Sequence, residues 1–194
     1  LTEIAENADT IEATKVADIF VSDDGLGINA LTLTGADADS FEIIGTELFL
    51  KAGATLDHET KDQLDVTVEV DDDTVGANPD VSEAFSLPVT DVNEAPSVII
   101  TPTLAAIAET ADTSTSTKVA DITVTDDALG TNDLTLIGDD AALVEIVGSA
   151  GALELHLIAG ATLDAAGNAS LDVTVEVDDA EIGLDPDDSA AFAM

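Results

Sequence analysis

Residues 64 to 71, "LDVTVEVD", alternate strictly. Leu64, Val66, Val68 and Val70 fall on one face, and Asp65, Thr67, Glu69 and Asp71 on the other. A period of two is the mark of a half-buried β-strand. Shorter runs of the same kind are "VADIFV", "ALTLT", "FEII", "ELFLK" and "AFSLPV", separated by Gly, Asp and Asn clusters that favour turns. No amphipathic helix of useful length appears, although "ADADSF" suits a single helical turn. Pro88, inside a strand run, points to an edge strand or a bulge because it has no N–H to donate. About seven strands in about 100 residues predict an all-β fold of immunoglobulin-like sandwich type.

The pattern occurs twice. "KVADIFVSDDGLGINALTLTGADA" from Lys15 returns as "KVADITVTDDALGTNDLTLIGDDA" from Lys118, a shift of 103 residues. "AGATLDHETKDQLDVTVEVDD" from Ala52 returns as "AGATLDAAGNASLDVTVEVDD" from Ala159, a shift of 107. Repeat 2 therefore carries four extra residues near "GSAGALEL". A period near 100 is a whole domain, not a solenoid unit. The expected domains are residues 1–95 and 96–194. "PSVIITPT" precedes repeat 2 with no counterpart ahead of repeat 1, and repeat 2 ends before any counterpart of "PVTDVNEAP". Each outer edge is thus expected to lack one strand. Either the chain is a window cut from a longer array, or neighbouring molecules supply the strands by adding to an open edge.

Charge sharpens this picture. Asp plus Glu number 42 against 4 Lys and no Arg, for a formal charge of −38. Nucleic acid is excluded as a partner, since its binders need a basic face. An anionic membrane surface is disfavoured, and no apolar run is long enough to insert. Disorder is argued against by the 45% of hydrophobic residues in ordered alternation. A self-repelling surface around an aliphatic core, with five Phe and no Trp or Tyr, gains from neutralising cations. Cysteine is absent, which removes disulfides, thiolate zinc sites and cysteine nucleophiles.

The acids gather at strand ends and turns: Glu6, the pair Asp23 and Asp24, Asp57 with Glu59, and Asp71 to Asp73. The junction "VTDVNEAPSVII" adds Asp91, Asn93 and Glu94 before Pro96 stiffens the path. Any one Asp is explained as a turn former or a solvated side chain. The set, recurring in both repeats with almost no basic partners, points to calcium, which takes six to eight oxygen ligands. Zinc would want His or Cys, and the two His are isolated. Catalysis is not expected. His58 aligns with Ala165 and His156 with Phe49, so neither recurs, and no aromatic platform exists for a sugar between paired acids. "NAS" at Asn168 fits a glycosylation sequon, a pattern that short sequences match by chance.

Several of these runs resemble cadherin repeats in their order and period. "LDHET" resembles the LDRE motif, "DVNEAP" the DxNDNxP linker shortened by one residue, and "IAEN" the leading Glu motif. "VSDDGLGINA" resembles DADSGxNA, and "VEVDD" the AxD strand end. The resemblance covers both repeats and is greatest to cadherin-like modules in very large secreted bacterial adhesins of RTX type. It implies calcium between consecutive modules, stiffening the array. The implied ligands are Glu6, Asp57 and Glu59 from repeat 1, Asp91, Asn93 and Glu94 from the linker, and Asp126, Asp178 and the Asn132 carbonyl from repeat 2. The second Asp of the motif is Gly25 in repeat 1 and Ala128 in repeat 2, so either Asp127 substitutes or one ion is lost. Ala166 stands at the Glu59 position, so a site following repeat 2 would be weaker, and Asp23 and Asp71 would face a module ahead of repeat 1.

The expected function is a calcium-stiffened extracellular spacer or adhesion module, with neighbouring repeats as its partners and other cell-surface molecules or glycans as further candidates. A self-assembling filament or surface layer, and a carbohydrate- or protein-binding module, are the alternatives.

Overall fold

A computed structural model describes residues 1–76, 78–149, 151–183 and 185–194. The chain forms two compact units, Leu1–Val92 and Asn93–Met194. Among the described residues the regular structure is β apart from two single 3-10 turns, one of them Ala38–Ser40 within the "ADADSF" stretch.

Unit 1 contains β1 (Ile4–Ala5), β2 (Thr14–Asp18), β3 (Asn29–Thr34), β4 (Phe41–Ile44), β5 (Glu47–Leu50), β6 (Gln63–Asp72) and β7 (Val81–Thr90). They make a four-stranded sheet ordered β1-β7-β6-β3 and a three-stranded sheet ordered β2-β5-β4. The alternation of β6 works as its sequence implies: Leu64, Val66 and Val68 are buried, and they meet Val16, Phe41, Leu48, Leu50, Leu87 and Val89 in one core. Phe41 and Phe85 pack edge to face, with ring centroids 6.3 Å apart. Pro88 of β7 stands opposite Gln63 at the start of β6. One residue later β1 joins β7 in parallel, Ile4 opposite Val89. This two-residue strand places Glu6 beside the end of β7, which matters for the acidic cluster below.

Unit 2 contains β8 (Ser97–Pro102), β9 (Thr117–Thr125), β10 (Asn132–Ile137), β11 (Val144–Ser149), β12 (Ala152–Leu157), β13 (Asp172–Asp179) and β14 (Asp188–Ala193). The sheets are β11-β12-β9-β8 and β10-β13-β14. Val119, Leu155, Val175 and Val177 are fully enclosed at its centre. The four extra residues of repeat 2 lie in one hairpin. β11 and β12 are six residues each where β4 and β5 are four, so the insertion lengthens both arms equally and leaves the core register intact.

One difference between the units has a physical cause. β9 runs nine residues, but its counterpart β2 stops after five, at Asp18. β9 is paired along Ala120–Thr125 by β8, from Pro102 opposite Ala120 to Ser97 opposite Thr125. β2 lies at the edge of its sheet, and among the described residues β5 is its one partner. Beyond the Ile19 amide, which donates to the Thr46 carbonyl at 2.8 Å, residues 20 to 22 have no ladder among the described residues to hold them extended.

Candidate metal centre

In unit 1 the cluster is built around Glu6, which is buried. One carboxylate oxygen accepts the His58 amide at 2.7 Å, and the other accepts the Val92 amide at 2.7 Å. Glu6 therefore ties the 57–60 turn to the residues that follow β7. Its own amide donates to the Thr90 carbonyl, extending the parallel β1–β7 pairing. The result brings oxygens of Glu6, Glu59 and Asp91 within 4.8 Å of one another. Asp57 lies in the same turn, with its two oxygens accepting the Thr60 amide and hydroxyl, each at 2.8 Å. These bonds hold Asp57 below the usual carboxylate range. Glu59 goes the other way. Its own backbone amide draws it down, but burial and the charges of Glu6 and Asp91 outweigh this and raise it. The His58 ring donates to the Val89 carbonyl at 2.7 Å, and this bond, with Asp91, Glu59 and Asp62 nearby, raises its pKa.

In unit 2 the oxygens converge from three segments. Asp127 accepts the Glu94 amide at 2.6 Å and the Leu129 amide at 2.8 Å, fastening the linker to the loop after β9. Asn132 donates to Asp126 at 2.7 Å. Asn93 donates to Asp179 at 3.2 Å. Asp179 is fully buried and sits against Gly130, whose Cβ, if it had one, would lie 1.7 Å from the carboxylate. Its pKa is lowered, first by the Glu181 amide and also by Asn93.

Asp179 is the residue that sequence reading missed. The signal was present in the alternation: Val173, Val175 and Val177 face inward, so the next inward position is 179, not 178. Asp178 is on the outer face, directly across the strand pair from Asp133. Its pKa is raised by burial and by Asp185, Asp187 and Asp133. The structure thus gathers Glu6, Glu59 and Asp91 in unit 1. In unit 2 it links Asn93 with Asp179, Glu94 with Asp127 and Asn132 with Asp126, and it sets Asp178 among other acids. The far loops of unit 1 repeat the unit 2 pattern: Asn29 donates to Asp23 at 3.0 Å, and buried Asp72 sits against Gly27, as Asp179 does against Gly130.

These residues fit a hard divalent cation on two counts. The Oδ1 atoms of Asp91, Asn93, Asp126, Asn132 and Asp178 are buried with no hydrogen-bond partner among the described residues. Such oxygens are costly unless a hydrogen-bond donor or a cation meets them. The protein's own cations do not. Lys15 pairs with Asp18 and Glu47, Lys61 with Asp37, and Lys118 with Asp121 and Glu154, while Lys51 donates to the Asp39 carbonyl. All-oxygen donors suit calcium or magnesium, not zinc.

A pH dependence follows. Raised Glu59 takes up a proton above the ordinary Glu value of about 4.3, so protons would compete with a cation held there from a higher pH. Without cation, protonating Glu59 and Asp178 relieves repulsion, and charged His58 is favoured below its raised folded value, so the fold gains as pH falls. The lowered acids Asp57, Asp72 and Asp179 contribute stability above about pH 3.9 and lose it below, outside this window. The rise in melting temperature on adding calcium should therefore be smaller at pH 5 than at pH 7.5. An equal or larger rise at pH 5 would remove Glu59 from the site.

No protein-family model matches the chain. No curated protein matches it in sequence. Solved structures do. A protocadherin gammaB7 EC3-6 cis-dimer structure aligns at a TM-score of 0.61 and 21% identity, over 99% of this chain and 43% of that one. PcdhgB3 EC1-4 aligns at 0.69 and 22%, over 100% and 46%. Human mucin-like protocadherin EC1-2 aligns at 0.56 and 20%, over 94% and 96%. This chain thus spans less than half the length of the first two. At these identities the likeness defines the fold: an all-β chain of cadherin-like sandwiches, seven strands to each unit.

Proposed function

We propose that this chain is a calcium-binding spacer or adhesion module from a tandem array, extracellular and borne on a bacterial surface or a secreted protein. The observations that support calcium lie in each unit separately: the Glu6–Glu59–Asp91 group with the buried, partnerless Asp91 oxygen in unit 1, and the buried, partnerless oxygens of Asn93, Asp126 and Asn132 in unit 2. Unit 1 supplies Glu6, Asp57, Glu59 and Asp91. Unit 2 supplies Asn93, Glu94, Asp126, Asp127, Asn132 and Asp178, to which the geometry adds Asp179. The two sets are joined through the consecutive residues Asp91, Val92 and Asn93, so ordering both orders the peptide that connects the units. Without the ion the carboxylates of each set repel one another; with it each set is held together, and the peptide between the sets is ordered at both ends. Affinity in the range of extracellular modules, about 10⁻⁴ to 10⁻³ M, would make the array stiff outside cells and loose at cytosolic calcium. Neighbouring repeats are its first partners, with other surface molecules or glycans beyond them.

Small-angle scattering with millimolar calcium and then with chelator tests the reading. A monomer whose scattering profile becomes that of a single, better-defined conformation in calcium is expected. Identical profiles and identical melting temperatures in the two conditions would overturn it. Fibres in both conditions would favour the filament reading, for which the unpaired edge of β2 is the supporting feature.

A further inference from the structure

Asp187 is in neither set of proposed ligands, yet it is bonded to the most enclosed acid of unit 2. β13 and β14 stay paired up to Val177 opposite Asp188. One residue ahead of β14, the Asp187 amide donates to the Val177 carbonyl at 3.1 Å. Its carboxylate Oδ2 then accepts the Asp179 amide at 2.7 Å. The side chain thus stands in for a backbone carbonyl and ties down the last residue of β13. On its other edge Asp179 lies opposite Asn132 of β10. Unit 1 is built the same way. Asp80 Oδ2 accepts the Asp72 amide at 2.7 Å, and the Asp80 amide donates to the Val70 carbonyl at 3.0 Å. Asp72 and Asp179 are the acids buried against Gly27 and Gly130. The runs that precede the bond differ, "TVGANPD" in one unit and "EIGLDPD" in the other, but the bond is kept. It therefore belongs to the repeat and not to one loop.

We infer that Asp187 is a positioning residue for cation binding in unit 2: it holds the Asp179 backbone, and through it the carboxylate that faces Asn93. The inference rests on the calcium reading above. In a strand the backbone sets which way a side chain points. With its amide held, Asp179 points inward, where Oδ1 accepts the Glu181 amide at 3.0 Å and Oδ2 accepts from Asn93 at 3.2 Å. With the amide free, the strand end frays and the carboxylate moves with it. Groups that orient a ligating carboxylate matter to affinity nearly as much as the ligand itself. The role needs an oxygen acceptor and not a charge. Asp187 lies near Asp178, whose pKa is raised by burial and then by Asp185 and Asp187, so negative charge here costs repulsion. The competing role is that of a direct ligand, because Asp187 Oδ1 is buried with no partner among the described residues. Asparagine separates the two. With its oxygen on the Asp179 amide, it puts an NH2 group where that second oxygen stood.

The test compares the full chain with its Asp187→Ala and Asp187→Asn variants in amide NMR spectra. In chelator the Asp179 amide of the parent should exchange slowly, and Asp187→Ala should speed that exchange by at least about tenfold. In calcium, Asp187→Ala should weaken the binding read at residues 126–132 by at least about tenfold. Asp187→Asn, which keeps the oxygen, should rescue both, and neither variant should alter the calcium response of Glu6 and residues 57–60 in unit 1. Fast exchange of the Asp179 amide in the parent would overturn the inference before any variant is made. Loss of binding in both variants would make Asp187 a ligand, and unchanged binding in Asp187→Ala would make it a structural brace alone; either result overturns the inference. A parent chain that takes up no calcium in unit 2, although its Asp179 amide is protected, would overturn the calcium reading and this inference with it.

Discussion

Replacing Glu6 with alanine should unfold the end of unit 1 that carries the acidic cluster. Glu6→Ala removes two bonds from amides to a buried carboxylate, those of His58 and Val92. Bonds to charged groups are worth about 1.5–3 kcal/mol each, and amides left unpaired add to the loss. A loss near 3 kcal/mol is expected, a large share of the roughly 5–15 kcal/mol that holds a typical domain. The unit 1 melting temperature should fall by more than about 10 °C in chelator. Calcium should no longer restore it, because the variant loses a proposed ligand as well as a brace. Glu6→Gln separates the two roles. Its amide oxygen still accepts one bond, so the fold should suffer less, while the charge that attracts the cation is gone. Calorimetry of both variants, with and without calcium, measures this directly. A Glu6→Gln protein that responds to calcium like the parent would show that Glu6 is a structural acid only.

The second large effect is expected in unit 2. Gly130 adopts φ +65°, and a Cβ there would fall 1.7 Å from Oδ2 of Asp179. Gly130→Ala costs about 1–2 kcal/mol from the left-handed backbone alone. It must also push the Asp179 carboxylate away from Asn93 and the Glu181 amide. Gly45 is the internal control. It has φ +66°, in the β4–β5 turn, with nothing within 4 Å of a Cβ. Gly45→Ala should lower stability by the backbone cost only and leave calcium binding unchanged. Gly130→Ala should lower stability further and weaken calcium binding at least tenfold. Equal effects from the two substitutions would mean that Asp179 moves aside freely and has no part in holding a cation.

How far the chain discloses its own structure depends on which force sets each feature. β6 and β13 follow from alternation because burial of one face decides them, and that is a local pattern. The extra residues of repeat 2 were readable as an insertion, and the structure places them in the arms of one hairpin. β1 was not readable. Two residues carry no periodicity, and its parallel pairing with Val89 and Thr90 depends on a contact across most of the unit. The length of β2 was not readable either. "KVADIFV" and "KVADITV" are nearly identical, yet one strand stops at Asp18 and the other runs to Thr125, because β8 supplies the second's ladder. The acids were found as a class. Their division between inward Asp179 and outward Asp178 needed the register of β13 relative to the core, which the run "VEVDD" contains only when its phase is carried one residue past the last valine.

The most direct measurement is a calcium titration of the intact chain followed residue by residue in amide NMR spectra. Saturable shifts are expected at Glu6, at residues 57–60 and 91–94, at 126–132 and at Asp179, with magnesium producing smaller changes at the same places. Shifts spread evenly over the many surface carboxylates, or none at those residues up to about 10 mM calcium, well beyond the affinity of extracellular modules, would show that the clustered oxygens do not bind the ion.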